Sequence, residues 1–133
     1  MAHRALTLKY RPQVFSDLVG QDHVTQVLSA ALASGRVAQA FLFTGARGVG
    51  KTTSARILAK ALNCQNLATA SAAPAKGKKA AAATEGLREP CGTCTSCVEI
   101  ASGVSLDVLE IDGASNRGIA DVQQLRESVR FAP

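Results

Sequence analysis

Long apolar runs are missing from this sequence: no stretch approaches the roughly eighteen consecutive apolar residues of a membrane-spanning helix. The opening MAHRALTLKYRP sets charges on both sides of a very short apolar run, so it lacks the core of a secretory signal. Tryptophan is absent too, yet 47% hydrophobic and 19% charged residues make the balance of a soluble globular chain. Its 133 residues suffice for one domain with a modest core. No internal repeat is present. The expected compartment is the cytoplasm, without a membrane partner. There thiols stay reduced, and clustered cysteines bind metal more often than they pair.

Acidic residues are scarce at first and then prevail. Residues 1–64 hold eight Lys/Arg against two Asp, residues 65–90 four against two Glu, and residues 91–133 three Arg against six acids. A basic N-terminal part suits a polyanion, nucleotide or nucleic acid, although an ordinary solvated surface has the same composition.

Periodicity divides the chain. Residues 22–34, DHVTQVLSAALAS, are expected to form a helix with Val24, Val27, Leu28, Ala31 and Leu32 on one face, Asp22 as N-cap and Gly35 as terminator. AFLFT at 40–44 suits a buried strand and runs directly into GARGVGKTT at 45–53. A helix then follows from about Thr52, with Ala55, Leu58, Ala59 and Leu62 as its stripe. Residues 65–90, with Pro74, Gly77, Gly86 and Pro90 among alanines and serines, are too poor in large apolar side chains to offset ordering and are expected to form a flexible insertion. Within it Ala80–Ala83 is too short for a lasting helix. Lys76, Lys78 and Lys79 are expected to be solvated and could touch nucleic acid. TSCVEIAS reads as a short helix, LDVLEID at 106–112 as a second strand, and residues 119–129 as a helix with Ile119, Val122, Leu125 and Val129 on one face. The chain ends at Arg130-Phe131-Ala132-Pro133 with no closing strand, which reads as a truncation.

Gly45, Gly50, Lys51 and Thr52 satisfy the phosphate-loop pattern of glycine, four residues, then Gly-Lys-Ser/Thr, with Ala46, Arg47, Gly48, Val49 and Thr53 completing it. Glycines let backbone N–H groups approach phosphates, Lys51 reaches the β/γ oxygens, and the Thr52 hydroxyl ligates Mg²⁺. The helix N-terminus adds its partial positive charge. Hydrolysis also needs a metal-side carboxylate. Asp112 ends an apolar run, but Gly113 follows where a second acid is expected; Glu110 alternates with it on the strand's polar side. His3 and His23 show no catalytic constellation. No catalytic residue is assigned.

Cys91, Cys94 and Cys97 lie three residues apart, while Cys64 is separated from them by twenty-six residues. Closing such a loop is tolerable, because the entropic cost grows only logarithmically with length. Four thiolates then make the complement of a closed, structural Zn²⁺ site. An iron–sulfur cluster is one alternative, although Val98, Glu99, Ile100 and Ala101 break the ferredoxin run of cysteines. Free or disulfide-bonded cysteines are the other.

YRPQVFSDLVGQDHV at 10–24, FLFTGARGVGKTTSARILAKALNC at 41–64, PCGTCTSC at 90–97 and LEIDGASNRGIADV at 109–122 together resemble the tau/gamma family of bacterial DNA polymerase III. These are the ATPases of the replicative clamp loader. The resemblance covers nearly all of the chain outside about 66–88. It implies an α/β, RecA-like AAA+ fold, truncated here, with a zinc module inserted after the phosphate-loop helix. Residues 1–64 would be the first part of the nucleotide-binding domain, 65–90 the insertion, 91–102 with Cys64 the zinc module, and 103–133 an incomplete continuation. ATP, Mg²⁺ and Zn²⁺ are the implied cofactors, with Tyr10, Arg11, Pro12 and Val19 near adenine and ribose. The implied partners are other clamp-loader subunits, the sliding clamp, the polymerase core and primed DNA, in an oligomer of a DNA-directed DNA polymerase holoenzyme. The family's Asp-Glu metal motif, sensors, arginine finger and lid come later in its chains, so these residues are expected to bind ATP without hydrolysing it. Two other readings remain: an ATP-dependent metal or iron–sulfur carrier, and a non-catalytic zinc-binding interaction fragment.

Overall fold

A computed structural model describes residues 6–67, 88–113 and 118–128. Helix α1 spans Leu6–Lys9, a 3-10 turn spans Phe15–Asp17, and α2 spans Asp22–Ser34. Helix α3 spans Lys51–Asn63, α4 spans Thr95–Ser102, and α5 spans Ile119–Ser128.

The core lies where α2 and α3 meet the turn before α2. Phe15 and Ile57, each 1% exposed, pack with Leu18, Leu28, Leu58 and Ala61, and Val24, Leu32, Phe43 and Leu67 close the margins. The bounds of α2 agree with its periodicity, and Gly35 ends it in the left-handed conformation (φ 67°). Two details differ. Gln21, not Asp22, is the N-cap, and Asp22 falls in the first turn, where a carboxylate favours the positive end of the helix. Val27 is exposed, because Thr25 and Ser29 turn inward beside Leu28.

Helix α3 is rotated from its expected stripe. Ser54, Ile57, Leu58 and Ala61 face inward at helical spacing, whereas Leu62 is exposed. Phe15 and Leu18 cover the Ile57 side, and that decides which of two apolar stripes is buried. Lys60 is buried as well. Its ammonium group donates to the backbone carbonyl of Gln13 (3.3 Å) and to the Gln13 side-chain oxygen. Burial lowers the Lys60 pKa.

The two expected strands are a correction. Residues 40–44 and 106–112 form no ladder, and no strand occurs among the described residues. A strand is held by hydrogen bonds to a neighbour, and neither run pairs with the other. Leu42 (89% exposed) and Leu106 (99%) consequently face outward. On α5, Ile119 and Val122 are exposed rather than packed. The expectations for Ala80–Ala83, Lys76, Lys78, Lys79, His3 and Val129 lie outside the described residues. No helix among the described residues is long and apolar enough to cross a membrane.

Candidate functional site

Residues 45–50 turn sharply because glycines permit it. Gly45, Gly48 and Gly50 have φ of 140°, 89° and 94°, and a Cβ on Gly45 would sit 3.2 Å from a Val49 methyl carbon. Gly50 caps α3 without a side-chain hydrogen bond, and no acidic residue occupies the first turn. The opening N–H groups of a helix have no intrahelical partner, so the chemistry of this end suits an anion. The Lys51 ammonium folds back over the loop, donating to the carbonyls of Gly45 (2.8 Å) and Ala46 (2.6 Å).

Two clefts flank this loop. One, of about 350 Å³, lies between α2 and residues 41–44, where Val24, Val27, Phe41 and Phe43 make it largely apolar; His23 lies on its rim. The other, of about 600 Å³, brings Arg47, Gly48, Gly50, Lys51, Thr52 and Thr53 together with Tyr10, Arg11 and Pro12. Three cations and no carboxylate line it. An anion calls for cations and N–H donors, so the second cleft is the candidate phosphate site. Arg11 donates from Nε to the Thr53 hydroxyl (3.3 Å), fastening the N-terminal segment to the helix start. Of the residues expected on the adenine side, Tyr10, Arg11 and Pro12 line this cleft, whereas Val19 (96% exposed) does not. Asp112 is exposed and does not line the cleft. Glu110 pairs instead with Arg56 on α3 (2.5 Å), which holds its carboxyl below the usual range.

The cysteines converge at the far end of α3. Cys64 is its C-cap, Cys94 caps α4, Cys97 lies in the first turn of α4, and Cys91 precedes Gly92 in a left-handed turn. All four thiols are free, and their sulfurs lie within 4.8 Å of one another, with Cys91 and Cys97 4.0 Å apart. Tetrahedral Zn–S bonds of about 2.3 Å place sulfurs about 3.8 Å apart, so the cluster fits such an ion after a small contraction. The environment treats these thiols unequally. N–H groups of Thr93 and Cys94 draw the Cys91 thiol down to about 5, and that of Cys97 lowers Cys94. Burial pushes Cys97 up to about 12, the penalty a dication would offset. The Cys91 N–H also donates toward the Cys64 sulfur (3.4 Å). Sequence reasoning grouped these four cysteines but missed Gln13, Lys60 and Glu89, whose side chains tie this end to the N-terminal segment. Only a lysine flanked by Ala59 and Ala61 hinted at burial.

Residues 20–133 match the family described as DNA polymerase III, delta subunit. The chain is 46% identical over 131 residues to DNA polymerase III subunit gamma/tau of Mycobacterium tuberculosis, covering 97% of this chain and 20% of that protein. It is 42% identical to subunit tau of Escherichia coli and 41% identical to that of Bacillus subtilis, in each case over its whole length and 18% and 20% of theirs. The chain thus spans about a fifth of the length of these curated relatives.

Proposed function

The chain belongs to the DNA polymerase III, delta subunit family, and from that premise we propose that it is the ATP-binding part of a replicative clamp loader. The observation that carries this reading is the convergence of Arg11, Arg47 and Lys51 on a cleft at the uncapped start of α3. Phosphates would lie against the 45–53 backbone, with Lys51 moving from its loop carbonyls to the β/γ oxygens and the Thr52 hydroxyl available to Mg²⁺. Tyr10 and Pro12 would border the nucleoside. The cysteine cluster would hold a structural Zn²⁺, since all four positions of a tetrahedral ion are filled by protein.

Hydrolysis, clamp opening and placement on primed DNA belong in this reading to the whole protein, an ATPase subunit of DNA polymerase III. It would act in the cytoplasm, in an oligomer with other clamp-loader subunits, the sliding clamp and the polymerase core. A RecA-like AAA+ sheet would form around residues 40–44 and 106–112 once neighbouring strands pair with them. With no carboxylate lining the cleft, the described residues would bind ATP without turning it over. Titration calorimetry with Mg–ATP tests the assignment. Lys51→Ala removes a charge-assisted contact of about 1.5–3 kcal/mol, roughly 10- to 100-fold in affinity. Equal affinities of folded wild type and variant would refute it.

A further inference from the structure

The segment that carries Tyr10, Arg11 and Pro12 is gripped twice farther along, both times by residues beside the cysteine cluster. Lys60, one helical turn before Cys64, donates to the Gln13 carbonyl and side chain. Glu89, two residues before Cys91, accepts the Ser16 N–H at 2.6 Å. The grip is passed on to the cleft: the Gln13 amide donates to the Arg11 carbonyl (2.9 Å), and Arg11 donates to Thr53 (3.3 Å). Between the grips, Phe15 is sealed into the core, so the segment is bolted down in its middle as well.

We infer that residues 10–18 couple the four-cysteine site to the nucleotide cleft, with Lys60, Glu89 and Gln13 as positioning residues that set Tyr10–Pro12 against the phosphate loop. The inference rests on the nucleotide-binding reading above. Its physical basis is that the two stretches a metal would join, the end of α3 and the arm entering Cys91, are the same two that hold the segment. An assembled cysteine site fixes the spacing between Lys60 and Glu89, so both tethers are satisfied by one position of the segment. When the cysteines part, Cys91 is free to leave α3 and Glu89 leaves Ser16 with it. Nucleotide must then order residues 10–12 itself, and that ordering is subtracted from its affinity. Lys60 reinforces the arrangement, because a buried ammonium group must keep its acceptors, and both belong to Gln13.

The test measures the affinity of the full chain for ADP, zinc-loaded and after chelation with magnesium restored, together with zinc content. The double variant Gln13→Ala/Glu89→Ala, zinc-loaded, is expected to bind ADP about tenfold more weakly while keeping one zinc per chain. Chelation should weaken the wild type to a similar degree and the double variant little further. Glu89→Gln retains an acceptor oxygen and should bind as the wild type does. A zinc-loaded double variant with wild-type affinity overturns the coupling, as does one that loses zinc together with affinity. A wild type that binds no ADP removes the proposed function itself, and the coupling with it.

Discussion

Removing the proposed Zn²⁺ from the end of α3 should cost a definite amount of stability, set by the loop it would close. Cys64 and Cys91 bound twenty-six intervening residues, and their sulfurs belong to one cluster within 4.8 Å. A cross-link closing a loop of that length removes about 3.5 kcal/mol of entropy from the unfolded chain at 25 °C, taking the metal as held by the cysteines in the unfolded chain as well. Cys64→Ser, or chelation of the wild type, should therefore lower unfolding free energy by about 3–4 kcal/mol in urea titrations followed by circular dichroism. Removing thirteen residues from within 68–86 halves the loop and should shrink the effect of chelation by about 0.6 kcal/mol, because closure entropy depends on the logarithm of length. Zinc content should be unchanged, since all four cysteines lie outside that stretch. Proton release supplies an independent check. Cys91, drawn down to about 5, is already a thiolate at pH 7, whereas Cys97, pushed up to about 12, must give up its proton to a metal. Zinc affinity should therefore weaken as pH falls. A urea midpoint unmoved by chelation, in protein shown to have carried one zinc, would refute the cross-link argument.

Three further perturbations probe the scaffold. Ile57→Ala empties a side chain that is 1% exposed and should destabilise the protein by about 2–5 kcal/mol in denaturant unfolding. Gly50→Ala places a Cβ on a residue at φ 94°, where it meets only a Leu18 methyl carbon at 4.0 Å, an ordinary contact. Any loss is therefore backbone strain of about 1–2 kcal/mol, read as weaker Mg–ATP binding by calorimetry with little change in core stability. Glu110→Gln breaks a half-exposed ion pair with Arg56 and should cost under about 1 kcal/mol at pH 7, less in high salt. Because the folded carboxyl is depressed, the pair's contribution is present above the unfolded Glu value of about 4.3 and is lost as pH falls through the folded value; urea midpoints of the two proteins should converge in acid.

What could be read from the sequence was whatever depended on residue type at fixed local spacing. The phosphate loop needs glycine, lysine and threonine within eight consecutive residues, and three of the four thiols lie within seven. The bounds of α2 follow from apolar periodicity closed by Gly35, TSCVEIAS reads as a short helix, and the structure places α2 and α4 at those residues, with Gly103 capping α4. Facing was harder to read. Helix α3 offers two apolar stripes, Ala55–Leu58–Ala59–Leu62 and Ile57–Leu58–Ala61, and only the arrival of Phe15 and Leu18 from some forty residues earlier selects the second. Strand pairing was not legible in residues 40–44 or 106–112, because a ladder depends on the neighbour as much as on the run itself. Val19 was expected at the cleft through resemblance alone, and the turn ending at Leu18 directs it to solvent.

Both candidate sites hang on one helix, and this arrangement constrains how each can fail. Helix α3 has thirteen residues, roughly 20 Å of rise. The phosphate loop enters its start and Cys64 ends it, while Ile57, Leu58 and Ala61 fix its middle to the core. A rod pinned in this way transmits little bending, so the loss of a cysteine should not reach the loop through α3 itself. The remaining connection runs outside the helix, along residues 10–18 from Glu89 and Lys60 to Arg11 and Thr53. The two routes leave different signatures. Damage carried by the helix would disturb the start of α3, and with it the contact of Lys51 with phosphate. Damage carried by the segment would spare that contact and loosen only the wall formed by Tyr10, Arg11 and Pro12. Inorganic triphosphate keeps Lys51 and Arg47 and has no nucleoside to touch Tyr10 and Pro12, so removing zinc should weaken it less than it weakens ADP.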